Sequence, residues 1–150
     1  MARKNSTNQR LNPESQATAR PRCFVSLGVA GKSLDFDALS NGIGTTPTKT
    51  RLAGEKYALG TRERDEWILA SPLSPETDVD EHLNWLRQRL QSHYSFLAEL
   101  KDRANVWIYC GFTLTEEQNF ISIAPRTLDI FQHLGVPLEI TIFAVPSDDE

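Results

Sequence analysis

Apolar residues first cluster at Cys23, where a polar leader gives way to Cys23-Phe-Val-Ser-Leu-Gly-Val29, a run of β-formers that predicts the first strand. Leu34, Phe36, Leu39 and Ile43 then recur at near-helical spacing. Ser33 or Asp35 is placed to cap this short helix, and Gly42 and Gly44 to stop it. Thr45-Thr-Pro47 forces an extended exit, and the runs Arg51 to Leu59 and Glu66 to Ala70, separated by Gly60-Thr-Arg-Glu-Arg-Asp65, predict a hairpin. Beyond the breaker Ser71-Pro-Leu-Ser-Pro75, Thr77 or Asp78 caps the most regular pattern in the chain. Val79, Leu83, Leu86, Leu90, Leu97 and Leu100 step by three, four or seven, laying one apolar stripe along a single helix from Asp78 to Lys101. Asn105 to Cys110 and Asn119 to Ile123 are strand-like and joined by polar Thr113 to Gln118, a second predicted hairpin. Pro125 opens a short helix carrying Leu128, Ile130, Phe131 and Leu134, Gly135 ends it, and Leu138 to Val145 alternates as a last strand.

The predicted order, β-α-β-β-α-β-β-α-β, describes one α+β domain over residues 22–146. Its strands come in hairpin-like pairs, so the sheet is expected to be mostly antiparallel, with two short helices and one long helix packed on one face. Residues 1–21 form the leader, expected to be disordered and basic, and residues 147–150 an acidic tail. The chain also echoes itself: strand, short helix, Gly and Pro occur from Cys23 to Pro47 and again from Phe120 to Pro137.

Composition sharpens this picture in four ways. A chain of 150 residues with 39% hydrophobic residues, three Trp and seven Phe has material for one ordinary core. Cys23 and Cys110 lie inside apolar runs without CxxC spacing, which reads as buried reduced thiols and a cytoplasmic setting. No apolar stretch reaches the roughly 20 residues of a membrane span, and no secretory h-region opens the chain, so the protein is expected to be soluble. The net charge of −4 is uneven: Arg3, Lys4, Arg10, Arg20 and Arg22 against Glu14 make residues 1–22 basic and leave the remainder acidic. An acidic body repels phosphate, which argues against strong nucleic-acid binding.

Candidate chemistry is sparse. Ser26-Leu-Gly-Val-Ala-Gly-Lys-Ser33 ends like a nucleotide-binding P-loop, but the glycine required five residues before the Gly-Lys pair is Ser26. Asp35 and Asp37 would also oppose phosphate at the following helix start, so the stretch reads as a strand entering a turn. His82 and His93 stand eleven residues apart on one predicted helix, about 16 Å, too far to share a metal. The carboxylate pairs Asp35/Asp37, Asp78/Asp80 and Glu116/Glu117 fall at helix starts or in a polar loop and suggest no acid/base pair. Trp67 and Trp107 sit in strand-like runs and are expected in the core. No cofactor, metal ligand set or catalytic residue is assigned. The richest polar stretch is Thr45 to Lys56, where Thr48, Lys49, Arg51 and Lys56 beside Gly54 make the candidate binding residues for a phosphate or carboxylate.

Leu34-Asp-Phe-Asp-Ala-Leu39, Ile43-Gly-Thr-Thr-Pro-Thr48, Gly54-Glu55, Trp67-Ile-Leu-Ala-Ser71, Asp80-Glu-His-Leu83 and Leu134-Gly-Val-Pro-Leu138 together resemble an uncharacterised bacterial family, a domain of unknown function, over about residues 22–145. The resemblance implies a cytoplasmic α+β protein without established catalytic residues, among small bacterial proteins that include immunity proteins. The expectation is therefore a binding or interaction module with a protein partner, of the kind that neutralises a toxin. The alternative is an enzyme or sensor for a small anionic ligand held at Thr45 to Lys56.

Overall fold

A computed structural model describes residues 19–144; the expectations for residues 1–18, for the end of the domain beyond 144 and for the acidic tail lie outside the described residues. Ala19 and Arg20, assigned to the leader, dock on the body. The Ala19 carbonyl accepts from Phe120 N (2.9 Å), the Arg20 carbonyl from Thr115 Oγ1 (3.1 Å), and the Arg20 guanidinium pairs with Asp78.

Strand β1 (Arg22–Gly31) is the middle of a five-stranded sheet. It pairs antiparallel with β5 (Asp65–Ala70) on one side and with β6 (Asn105–Thr113) on the other. Outside β5 lies the antiparallel edge strand β2 (Lys49–Arg51), and outside β6 lies β7 (Leu138–Phe143), paired in parallel. The spatial order is β2-β5-β1-β6-β7, so the expected mostly antiparallel α+β sheet is present, with one parallel pairing at its far edge. Between β2 and β5 the chain projects a two-stranded ribbon, β3 (Lys56–Tyr57) and β4 (Gly60–Thr61).

The four α-helices of the described residues pack on one face. Alternation sends Cys23, Val25, Leu27 and Val29 of β1, Trp67 and Leu69 of β5, and Val106, Ile108, Cys110 and Phe112 of β6 inward. There they join Leu39 and Ile43 of α1 (Phe36–Ile43), Leu83, Leu86 and Leu90 of α2 (Val79–Leu90), Leu97 and Leu100 of α3 (Tyr94–Leu100), and Ile130 and Leu134 of α4 (Pro125–Leu134) in one core. Asp35 is the cap of α1, its Oδ1 accepting from Ala38 N at 2.9 Å, and Gly44 closes that helix at φ 80°.

Three expectations are corrected. The helix from Asp78 to Lys101 is interrupted by a 3-10 turn at Gln91–His93, none of whose residues is buried. That break turns His93 and Phe96 toward α1. A Cβ at Gly44 would lie 2.3 Å from His93 Nε2, and one at Gly42 2.2 Å from Phe96 Cζ, so the two glycines make the room. Asn119 to Ile123 is not a strand, because both edges of β6 are already taken, by β1 and β7. Trp107 is not in the core, since it has the opposite parity to Val106 and Ile108. The internal echo has a structural counterpart of a different extent. β1-α1-β2 and β6-α4-β7 each run strand, helix, left-handed Gly and a second strand pointing the same way as the first, with β5 inserted in the earlier unit.

Candidate functional site

The other face of the sheet carries no helix among the described residues. Phe24, Ser26, Gly28 and Ala30 of β1 lie between Glu66, Ile68 and Ala70 of β5 and Asn105, Trp107, Tyr109 and Gly111 of β6. Glycine shapes this surface. A Cβ at Gly28 would sit 2.4 Å from Trp107 Cε2 and Cζ2, so only a residue without a side chain lets the indole lie flat across β1. Tyr109 leans over Gly111 in the same way.

A groove of about 640 Å³ opens at the end of this face. Ala30, Glu66, Trp107 and Glu139 contribute from the sheet, Lys101, Asn105 and Pro137 from its rim, and Tyr57, Thr61, Arg62 and Arg64 from the β3–β4 arm and its return to β5. The arm is built from local pairing: Gly54 N donates to the Arg62 carbonyl (2.8 Å) and Arg62 N to the Glu55 carbonyl (2.9 Å). Its tip exposes 90% of Leu59. Side chains fix its position. The Arg62 guanidinium stacks 4.9 Å from the Tyr57 ring centre and donates to Glu66 Oε2 (3.3 Å), which also accepts from Arg51 NH1 (2.9 Å). Buried Asp65 ties the arm's base, accepting from Leu34 N (2.9 Å) and Ala53 N (2.8 Å).

The residues expected to hold an anion fall in different places. Thr48 Oγ1 accepts from Ala70 N (2.9 Å) and Thr48 N donates to the Ile68 carbonyl (2.8 Å), fastening β2 to β5. Lys49 and Arg51 occupy alternate positions of β2 across from Ile68 and Glu66, while Lys56 is exposed on the arm. Trp107 and Tyr109, missed as surface residues, were recoverable from alternation: if Val106, Ile108 and Cys110 face inward, their neighbours must face out.

The family model described as Domain of unknown function (DUF4279) matches residues 21–144. The chain belongs to that family. No curated protein and no solved structure matches it. Every strand and helix above therefore lies in the DUF4279 domain, groove included.

Cys23, Cys110 and His82 are buried inside this domain. Burial pushes the Cys23 thiol up to about 11 and the Cys110 thiol up to about 12, so both stay protonated and unreactive. His82 is buried where β5 hands over to α2, with Nε2 3.2 Å from the Ser74 carbonyl and Nδ1 2.8 Å from Ser71 Oγ. A carbonyl only accepts, so Nε2 carries the proton and Nδ1 accepts from the Ser71 hydroxyl. Desolvation holds its pKa below the ordinary 6.5. No three His, Cys, Asp or Glu side chains gather to hold a metal among the described residues, and no described helix is long and apolar enough to cross a membrane.

Proposed function

We propose that this DUF4279 domain is a non-catalytic binding module that grips a protein partner on the open face of its sheet, in the manner of an immunity protein covering a toxin. The observation that carries this is the groove itself, with its flat aromatic floor at Trp107 and its wall formed by an arm whose tip presents Leu59 to solvent. Half-exposed aromatics beside Arg make the anchors that protein interfaces concentrate at their centres. The lining mixes Arg62, Arg64 and Lys101 with Glu63, Glu66 and Glu139, which suits a polypeptide carrying both charges better than a polyanion. Co-expression with the protein encoded beside it tests the proposal. A one-to-one complex is expected, weakened at least tenfold by Trp107→Ala or Leu59→Asp. A complex indifferent to both substitutions, or none at all, would overturn it.

A small anion at Thr45 to Lys56 is the alternative occupant, favoured by one observation: Arg51 Nε is buried without a hydrogen-bond partner. Its guanidinium is already shared with Glu66, so an anion must compete with that carboxylate. Phosphate or a dicarboxylate raising the melting temperature of the native chain, but not of Arg51→Ala, would support this occupant.

A further inference from the structure

The two edges of the sheet are built to opposite rules. At one end β2 is three residues long, follows Pro47 and carries Lys49 and Arg51, the devices that stop an edge from pairing further. At the other end β7, Leu-Glu-Ile-Thr-Ile-Phe, is six residues long with a single charge and neither Pro nor Lys. Among the described residues no strand covers its outer side. Ile140 remains 53% exposed, Ile142 59% and Phe143 49%, although Ile140 and Ile142 share the helix-covered side with Cys110 and Phe112.

From this contrast we infer that β7 is a homodimer edge, pairing antiparallel with the β7 of a second copy to make a continuous ten-stranded sheet. Backbone parity selects the register. The Pro137 and Phe143 carbonyls accept from Ile108 N and Leu114 N of the β6 side, so the odd positions of β7 point inward. Leu138, Ile140 and Ile142 then point their N–H and C=O outward. A two-fold axis must match these even positions with even positions, the same set that carries the apolar side chains. Of the registers that do so, only the one centred on Ile140 gives all three outward-pointing residues, Leu138, Ile140 and Ile142, a partner inside the six-residue strand. It sets Leu138 across from the second copy's Ile142, and Glu139 across from its Thr141. A shift toward the strand's start instead opposes Glu139 to itself, which costs energy. Hydrogen bonding, apolar matching and charge therefore agree on one arrangement, which is the argument for a second copy over any other occupant. A six-residue edge buries less than the roughly 1,600 Å² of a standard interface, so the dimer should be weak, dissociating in the micromolar range.

The test is sedimentation equilibrium of the full chain over about 1 to 500 µM, with Ile140→Lys and Ile142→Lys beside it. The unsubstituted chain should move from monomer toward dimer across that range. Either lysine should hold it monomeric with an unchanged circular dichroism spectrum, since both positions are exposed. Register is read separately by oxidation. Ile140→Cys should form a disulfide-linked dimer, because the two Cα atoms of a hydrogen-bonded antiparallel pair stand about 5.5 Å apart, within disulfide reach. Glu139→Cys, facing Thr141, should crosslink far more slowly, and the buried Cys23 and Cys110 supply the background control. A chain monomeric at 500 µM overturns the inference. So does a dimer that survives both lysines, or one that crosslinks equally well through positions 139 and 140.

Discussion

At the scale of single residues, the domain uses buried polar groups to lock joints. His82 joins the exit of β5 to the start of α2 through Ser71 and Ser74, and burial favours its neutral form against the smaller opposing pull of the Ser74 carbonyl and Glu81. The sign of the pH effect follows. Below about pH 6.5 the unfolded chain binds a proton at this residue that the folded chain resists, so stability is full above 6.5 and declines as pH falls from there toward the depressed folded value. Urea unfolding of the native chain and His82→Gln should show the difference, the variant losing less stability between about pH 7 and 5; equal slopes would count against it. Gly28 makes a second expectation. Gly28→Ala must displace the Trp107 indole and should cost about 1–3 kcal/mol. Most of that should vanish in a Trp107→Ala background, where nothing is left to clash. The sequence marks Gly28 as a glycine in a strand but not why it is there, because the cause lies on β6, 79 residues away.

At the scale of elements, local signals were legible wherever the element's own residues decide it. Asp35, at a predicted cap position, does cap α1, and Asp35→Ala should destabilise the protein by about 1 kcal/mol in thermal unfolding, with Asp35→Asn close to neutral. Gly44 and Gly135 end α1 and α4 in the left-handed region, as their places after apolar periodic runs suggested. What failed was what neighbours decide. Phe120, Ile121 and Ile123 look like a strand, yet a strand needs an edge, and β7 occupies the one this segment required. Leu90 and Leu97 are seven residues apart, a spacing that fits an unbroken helix equally well; the intervening turn at Gln91–His93 goes with the packing of His93 and Phe96 against the glycines of α1, which lie far away in sequence. The groove was invisible for a similar reason. The Trp107 floor, the wall from the β3–β4 arm and the Pro137 end of the rim come from separate stretches of the chain, so no short window of sequence shows all three together.

For the whole molecule, the governing fact is the asymmetry of the sheet: one face gathers most of the apolar side chains into a single core, and the other carries Phe24, Ile68, Trp107, Tyr109 and Phe143 among glycine, small and polar residues. The core runs from Leu39 in α1 through β1 to Leu134 in α4, so no part of the described chain has an apolar centre of its own. Unfolding should then be one cooperative transition. Trp67 and Trp107 report on the two faces, the first fully buried and the second on the groove floor. Variants retaining one of them, with the other tryptophans changed to Phe, should give fluorescence midpoints that coincide with far-ultraviolet circular dichroism in each variant. Leu86→Ala, which empties a position in the centre of that core, should lower stability by about 2–5 kcal/mol and move the midpoints together. If Trp107 instead reported an earlier transition, untouched by Leu86→Ala, the open face and its arm would be a separate melting unit. The rigid floor on which the binding proposal rests would then be lost with it.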